Sequence, residues 1–397
     1  MKIYEIGTGY TPIPARMGAA TEIVVEELTK ALLEQGADAE IIDIQAADRL
    51  PNRLPITEVK VPTVFAGTDV QLGIMHKMKR VVYSVCLAGK ISKILRKAQE
   101  KVVLHFHNQY NLFFYLKLVS RKNKQKALIA YTNHSGIWRL PWDECRETIW
   151  KRYFQEEECM KKADIVFALN QETIDNAVTH CGCRKEKFVR INNGVNTGVY
   201  TILAGQKKER AREAFRLEGK KVILQVGSVY ENKGQGRVVQ WLIPMLRDNP
   251  DMVYVYAGGI VSEEYHQQIK DMVKEAGLEA QVVYLGMVQP GEMLNQLYNA
   301  AEATICASQY EGFSLAIIES LAAGTPVLVQ EGSPFDVGAG CVAYSGEELA
   351  GKIGETVFSP DRRKQISEAA RENACEHYGW SSVAREYLMH FTKAAEQ

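Results

Sequence analysis

Glu311-Gly312-Phe313-Ser314-Leu315-Ala316-Ile317-Ile318-Glu319-Ser320-Leu321-Ala322-Ala323-Gly324-Thr325-Pro326 is the stretch on which the fold turns. An apolar run ends near Ser308, a turn follows at Gly312, and a helix is predicted to start near Ser314. The free N–H groups of a first helical turn, together with the helix dipole, suit an anionic ligand. Glu311 stands just before that helix and Glu319 one to two turns into it. At the carboxyl end of a strand in an open α/β sheet, both would face the ligand crevice. Carboxylates accept hydrogen bonds from hydroxyls, so two of them beside an anion site suggest a ligand with both phosphate and sugar. Taken alone, the same residues fit a helix capped by Ser314 and carrying two solvated glutamates.

Outward from this segment, strand-like and helix-like runs alternate almost throughout. Strands are predicted at residues 2–6, 39–44, 102–106, 127–132 and 165–169, and again at 221–226, 253–257, 282–285, 304–306 and 327–329. A loop with Gly7, Gly9, Pro12, Pro14 and Gly18 follows the first strand. A helix from about Ala20 then puts Ile23, Val24, Leu28, Ala31 and Leu32 on its apolar side, with Gly36 placed to end it. Such alternation implies parallel sheets with helices on both faces. A chain of 397 residues calls for two domains. The polar segment 196–216, after the turn Asn192-Asn193-Gly194, reads as the linker. The expected domains are therefore 1–200 and 201–379; periodicity does not decide whether the last helix, 380–397, caps the second domain or crosses back, and it is expected to join the first.

Composition narrows the class. A hydrophobic fraction of 46% excludes wholesale disorder. No run of eighteen apolar residues is present, so no membrane-spanning helix is expected. Met1-Lys2-Ile3-Tyr4-Glu5-Ile6-Gly7 reads as a first strand rather than the core of a signal peptide. The eight cysteines make no Cys-x-x-Cys pair and no zinc spacing, which fits reduced thiols in a cytoplasmic protein and no metal. The net charge is zero, yet residues 1–200 carry 29 Lys and Arg against 22 Asp and Glu, and the remainder carries the opposite excess. Neither half is basic enough to indicate nucleic acid.

The segment 311–326 resembles the Glu-x7-Glu signature of the retaining family 4 glycosyltransferases, which have the GT-B fold. Other pieces match in the same order. Asn193-Gly194-Val195-Asn196 looks like the family's Asn-Gly-Val-Asp turn, and residues 227–234 look like its Gly-Arg-…-Lys-Gly phosphate loop. Val283-Tyr284-Leu285-Gly286 resembles its Phe-Leu-Gly strand, and Tyr131-Thr132-Asn133-His134 its Thr-x-His strand end. The resemblance spans nearly the whole chain and is tightest from 190 to 330. It implies two Rossmann-like doubly wound domains facing each other across a cleft. It also implies a hexosyltransferase-type enzyme that moves a sugar, with retention and without a metal, from a nucleotide-diphosphate sugar such as a UDP-sugar. The acceptor would be a glycan, lipid or small molecule, and no cofactor beyond the donor is implied. The absence of any Asp-x-Asp agrees with metal independence.

By that resemblance Glu319 holds the donor ribose and Glu311 accepts from the transferred sugar. Gly312 belongs to the same donor loop, and the amides of Phe313, Ser314 and Leu315 contact sugar and diphosphate. Lys233 neutralises the diphosphate as charge develops on the leaving group. Gly18 corresponds to one glycine of a phosphate-approaching Gly-Gly loop, with Ala19 in place of the second. His134 is a hydrogen-bond partner of the sugar. His107 and Trp138 are acceptor-side candidates, whereas His105 is expected to be structural and to point away from His107. One residue departs from the pattern: Ser228 stands where the family has Arg, a bidentate phosphate donor. Arg237 is a candidate substitute and also reads as a surface residue. The departure leaves open a homologue that binds a nucleotide-sugar without turnover, or an epimerase of the same fold. Segment 76–101 mixes Lys77, Lys79, Arg80, Lys90, Lys93, Arg96, Lys97 and Lys101 with apolar residues. It fits a basic amphipathic helix at the inner membrane face, or a helix packed on the sheet with a solvated basic side.

Overall fold

The computed structural model describes residues 1–14, 20–65, 74–309, 313–331, 338–357 and 359–396, with Ile74, His76 and Val357 by backbone alone. The chain forms two compact units, Met1–Gly194 with Trp380–Gln397, and Val195–Gly379. The crossing point between Gly194 and Val195 precedes the expected boundary at 200/201. The segment read as a linker is packed structure instead. Val195, Tyr200, Ala211 and Leu217 are buried, and Gln206–Ala214 is helical. The Arg371 guanidinium donates to the carbonyls of Thr197 at 2.8 Å, Tyr200 at 2.5 Å and Ala322 at 2.7 Å, which pins the stretch to its own unit.

The first unit is built on a seven-stranded sheet. Its strands are β1 (Lys2–Ile6), β2 (Asp38–Ile44), β3 (Ile56–Val59), β4 (Val102–Phe106), β5 (Ala127–Asn133), β6 (Ile165–Ala168) and β7 (Phe188–Arg190), in the order β3-β2-β1-β4-β5-β6-β7. The second unit has a six-stranded sheet of β8 (Lys221–Val226), β9 (Met252–Ala257), β10 (Val282–Tyr284), β11 (Ala303–Cys306), β12 (Val327–Gln330) and β13 (Cys341–Tyr344), in the order β10-β9-β8-β11-β12-β13. Every strand pairing is parallel. Each sheet therefore grows outward in one direction, then returns and grows in the other. The reversals lie between β1 and β4 and between β8 and β11, and at such a point the loops leaving two neighbouring strands diverge and leave a crevice.

Alternation along the strands sorts the core. Val222 and Leu224 of β8 face the helices Glu292–Ala300, Leu315–Ala322 and Pro360–His377. Ile223 faces Gln235–Asp248, Glu263–Ala276 and Leu349–Val357. In the first unit Tyr4 and Ile6 enter the larger core, while Ile3 and Glu5 face the opposite side. That second side is covered in part by the helices Ala20–Glu34 and Trp380–Ala395, whose Tyr387 and Phe391 rings meet Phe167 at 4.5 and 5.6 Å. No helix among the described residues is long and apolar enough to cross a membrane.

Phe391 is fully buried against Phe167 and His105. Phe391→Ala is expected to destabilise the first unit by about 3–5 kcal/mol, the range for truncating a packed aromatic, measured by urea denaturation. A cost below about 1 kcal/mol would show that the last helix is not integral to this core.

Candidate active site

In the second unit the predicted donor residues gather at the carboxyl ends of β8 and β11. After Val226 the chain turns through Gly227 and Ser228, makes a short 3-10 turn at Glu231–Lys233, and enters the helix Gln235–Asp248 through the left-handed Gly234. The loop is held from below. Gln225 Nε2 donates to the Lys233 carbonyl at 2.7 Å, and Gln235 Nε2 donates to the Ser228 carbonyl at 3.0 Å. The stem of Lys233 lies over Gly227, where a Cβ would stand 3.6 Å from Lys233 Cδ. Gly258, at the end of β9, approaches so closely that a Cβ would meet the Gly227 carbonyl oxygen at 2.1 Å. Arg237 is not a loose surface residue: its Nη2 donates to the Ala307 carbonyl at 2.7 Å, and its Nε has no partner among the described residues.

The second loop lies alongside. Gln309 N–H donates to the Asn232 carbonyl at 2.9 Å, joining the two loops across the crevice. Glu311 and Gly312 lie outside the described residues, as does Gly18 of the first unit. The helix Leu315–Ala322 begins behind Ser314, which has extended backbone and makes no side-chain capping bond. The first-turn amides are thus left unclaimed by the residue best placed to cap them. Phe313 and Leu315 are half-buried on either side. Glu319, one turn on, accepts from Tyr298 Oη at 3.0 Å, and Tyr200 is its second hydroxyl partner. Burial raises its carboxyl to about 7, partly offset by those two hydroxyls. Neither tyrosine was legible as a site residue. Tyr298 sits on the helix Glu292–Ala300 and reads as an ordinary core aromatic.

In the first unit, His134 follows β5 and stands next to His107, with His107 Nδ1 and His134 Nε2 3.0 Å apart. His107 Nε2 lies 2.8 Å from Glu5 Oε2, and His105 Nδ1 lies 2.8 Å from the same oxygen. His105 Nε2 meets Thr132 Oγ1 at 2.7 Å, and that hydroxyl is 3.2 Å from Tyr387 Oη. Three expectations are corrected here. His105 does not point away from His107: residues two apart on a strand share a face, and the rings are 4.1 Å apart. His107 is 4% exposed with both nitrogens occupied, so it does not border an open acceptor surface. Trp138 is fully buried and donates its Nε1–H to Glu156, so its face is not presented for sugar stacking. Burial pushes that Glu156 carboxyl up to about 7.

Glu5 is not among the residues that the sequence motifs single out. The signal was present: an acid at an inward-facing position of the central strand, in register with His105 of β4. Glu5, His105 and His107 place three ligand atoms within 4.8 Å of one another, a spacing that suits a metal. All four imidazole nitrogens already have partners in Glu5, Thr132 and His134, so hydrogen bonding accounts for the cluster without one. The basic segment also divides. Lys79 is buried and donates to the Tyr10 carbonyl at 3.1 Å, and Arg80 stacks on Tyr10 at 4.4 Å. Met75, Met78, Val81 and Val85 are exposed along the helix Ile74–Lys97.

Two family models match the chain, one described as Glycosyl transferases group 1 over residues 206–373 and one as Glycosyltransferase Family 4 over residues 21–199. Mannosylfructose-phosphate synthase of Agrobacterium fabrum is 25% identical over 286 residues, 65% of this chain and 62% of that protein. D-inositol 3-phosphate glycosyltransferase of Corynebacterium aurimucosum is 22% identical over 97% of this chain and 88% of its own. Among solved structures, sucrose-phosphate synthase from Thermosynechococcus elongatus superposes with a TM-score of 0.77 at 18% identity, covering 99% of this chain and 98% of that one. Anabaena HepE, solved in complex with UDP and glucose, gives 0.74 at 15% identity over 99% of both. The fold is that of these proteins, two parallel-sheet Rossmann-like units of the GT-B kind.

Glu319 offers a test of the second-unit site that needs no ligand. The folded unit holds a proton there that the unfolded chain releases, so this contribution is present in acid and is lost as pH rises through about 7. Glu319→Gln is neutral throughout. Its stability relative to the parent protein is expected to improve from pH 5 to pH 8 in urea denaturation, and a difference that stays flat would contradict the burial-raised carboxyl.

Proposed function

The chain belongs to the family 4 glycosyltransferases, and from that premise we propose that it transfers a sugar from a UDP-sugar, with retention and without a metal or other cofactor. The observation that carries this reading is the junction of two loops at the β8/β11 reversal, one bearing Lys233 and the other an uncapped helix start followed by the half-buried Glu319. HepE was solved with UDP, which supports the choice of base. In this reading Glu319 takes the two ribose hydroxyls, and the amides of Phe313, Ser314 and Leu315 receive the diphosphate and sugar. Lys233 and the helix start stabilise charge on the leaving diphosphate as the glycosidic bond breaks. Ser228 contributes a hydroxyl where the family pattern has Arg. Glu311 and Gly312 complete the sugar pocket, Gly18 approaches the phosphates, and His134 accepts from a sugar hydroxyl. The departing phosphate oxygen takes the acceptor's proton on the same face of the sugar, and no enzyme carboxylate serves as nucleophile.

The acceptor is a glycan, a lipid or a small molecule. The relatives' names point to phosphorylated small molecules for those proteins. The exposed Met75, Met78, Val81 and Val85, set on one helix with Lys77, Lys93, Arg96 and Lys97, favour peripheral contact with an anionic cytoplasmic membrane face. Sedimentation with vesicles containing phosphatidylglycerol should then exceed that with phosphatidylcholine alone. Val81→Asp should abolish the difference, and equal binding to both vesicles would remove the membrane contact.

The donor assignment is checked by thermal shift with UDP, GDP, ADP and their common sugars, with and without EDTA. UDP or a UDP-sugar is expected to raise the midpoint equally in both conditions. Glu319→Ala and Lys233→Ala should each weaken that binding by about tenfold or more, the cost of a lost charge-assisted hydrogen bond. Glu311→Ala should reduce transfer more than binding, and NMR of the product should show the donor's anomeric configuration. No response to any nucleotide would mean that Ser228 marks a cleft that has lost its donor, and the transferase reading would fall.

A further inference from the structure

The chain Glu5–His107–His134, buried at its first two members and half-buried at the last, has a direction. Glu5 is fully buried in β1. Burial alone would raise its carboxyl, yet His105 and His107 beside it hold it at about 2. It is therefore an acceptor on both oxygens, and His107 Nε2 at 2.8 Å must donate to it. Burial, with the neighbouring His105, lowers His107 to about 4, so its ring is neutral near pH 7 and carries only that one proton. His107 Nδ1 is then a lone pair, and the contact at 3.0 Å requires His134 Nε2 to be the donor. Burial and the two other imidazoles push His134 well down as well, so it too is neutral. Its single proton is committed inward. Nδ1 of His134 is left as a bare acceptor with no partner among the described residues.

We propose that Glu5, two residues removed from any ligand, is a positioning residue that makes His134 present Nδ1 as an obligatory hydrogen-bond acceptor. The link to transfer rests on the reading of His134 as the residue that meets the sugar. An acceptor selects a hydroxyl that can donate and turns away an oxygen that has no hydrogen. Without Glu5 the cheaper arrangement reverses the chain: His107 moves its proton to Nδ1, His134 Nε2 accepts it, and Nδ1–H of His134 becomes a donor. The second branch, His105–Thr132–Tyr387, leaves Glu5 in the other direction and does not pass through His134. It therefore supplies the control, because Tyr387→Phe should disturb packing without changing the proton on His134.

The experiment is long-range 15N–1H NMR on protein with its eight histidines labelled, with His134 assigned by His134→Gln. In the parent protein at pH 7, His134 is expected as the neutral Nε2–H form, and Tyr387→Phe should leave it so. Glu5→Leu, which keeps the volume and removes the acceptor, should move the proton to Nδ1. Transfer assays complete the test. Glu5→Leu and His134→Ala should each slow turnover by about tenfold, as for loss of one hydrogen bond, and the double variant should be no slower than His134→Ala alone. A proton on Nδ1 in the parent protein overturns the proposal, and that spectrum requires no variant at position 5 to fold. Full additivity of the two losses also overturns it, since Glu5 would then act by some other route. If His134→Ala transfers normally while the tautomers are as stated, the contact between His134 and the sugar fails and Glu5 has no part in transfer.

Discussion

Parallel strands impose the constraint from which the rest follows. Two neighbouring parallel strands cannot be joined by a tight turn, so each must be followed by a crossover that carries the chain over a face of the sheet. A sheet that grows first to one side and then to the other must reverse once, and at the reversal the outgoing crossovers part. Both sheets reverse in the middle, at β1/β4 and at β8/β11. The residues that carry chemistry lie at the carboxyl ends of those central strands or immediately beside them. Gly227, Lys233 and Ser314 are placed there by topology, and local packing only refines their positions.

The two units hold buried carboxyl groups in opposite ways. Glu5 faces two imidazoles and stays charged, its carboxyl at about 2. Glu319 faces two phenolic hydroxyls, which only partly offset its burial, and its carboxyl rises to about 7. Glu156, held by an indole N–H and an amide, rises likewise. The difference is one of partners, since Glu5 and Glu156 are both buried and the half-buried Glu319 sides with Glu156. A fixed negative charge can dictate where protons sit on its neighbours, as Glu5 does. A carboxyl poised near neutrality can change its own state when a ligand brings new donors, which is the condition of Glu319.

Most of the fold was legible because central strands announce themselves. β1, β4, β5, β8 and β11 are apolar runs buried on both faces, and each was placed to within about a residue. β3, β7 and β13 are not marked by the sequence pattern, and all three are sheet edges. An edge strand is short and half solvated, so Ile56-Thr57-Glu58-Val59 carries no pattern to separate it from a loop. The site was legible where a motif names backbone geometry, as in the glycine turn before Lys233 and the helix start at Ser314. It was not legible where a side chain's role depends on what packs against it. Trp138 looks the same in sequence whether it lies on a surface or under one. Tyr200, Tyr298 and Glu5 belong to the site only through neighbours about 20 to 120 positions away.

The helix Trp380–Ala395 returns to the unit that begins with Met1. The second unit is one continuous stretch, whereas the first is made of two stretches separated by the whole of the second. During synthesis, residues 195–379 can fold as soon as they leave the ribosome, while the sheet made before them still lacks the helix that covers Phe167 and His105. The usual order, in which the amino-terminal domain is completed first, is inverted. Until that last helix arrives, the face of the sheet holding Glu5 and His105 lacks part of its apolar cover.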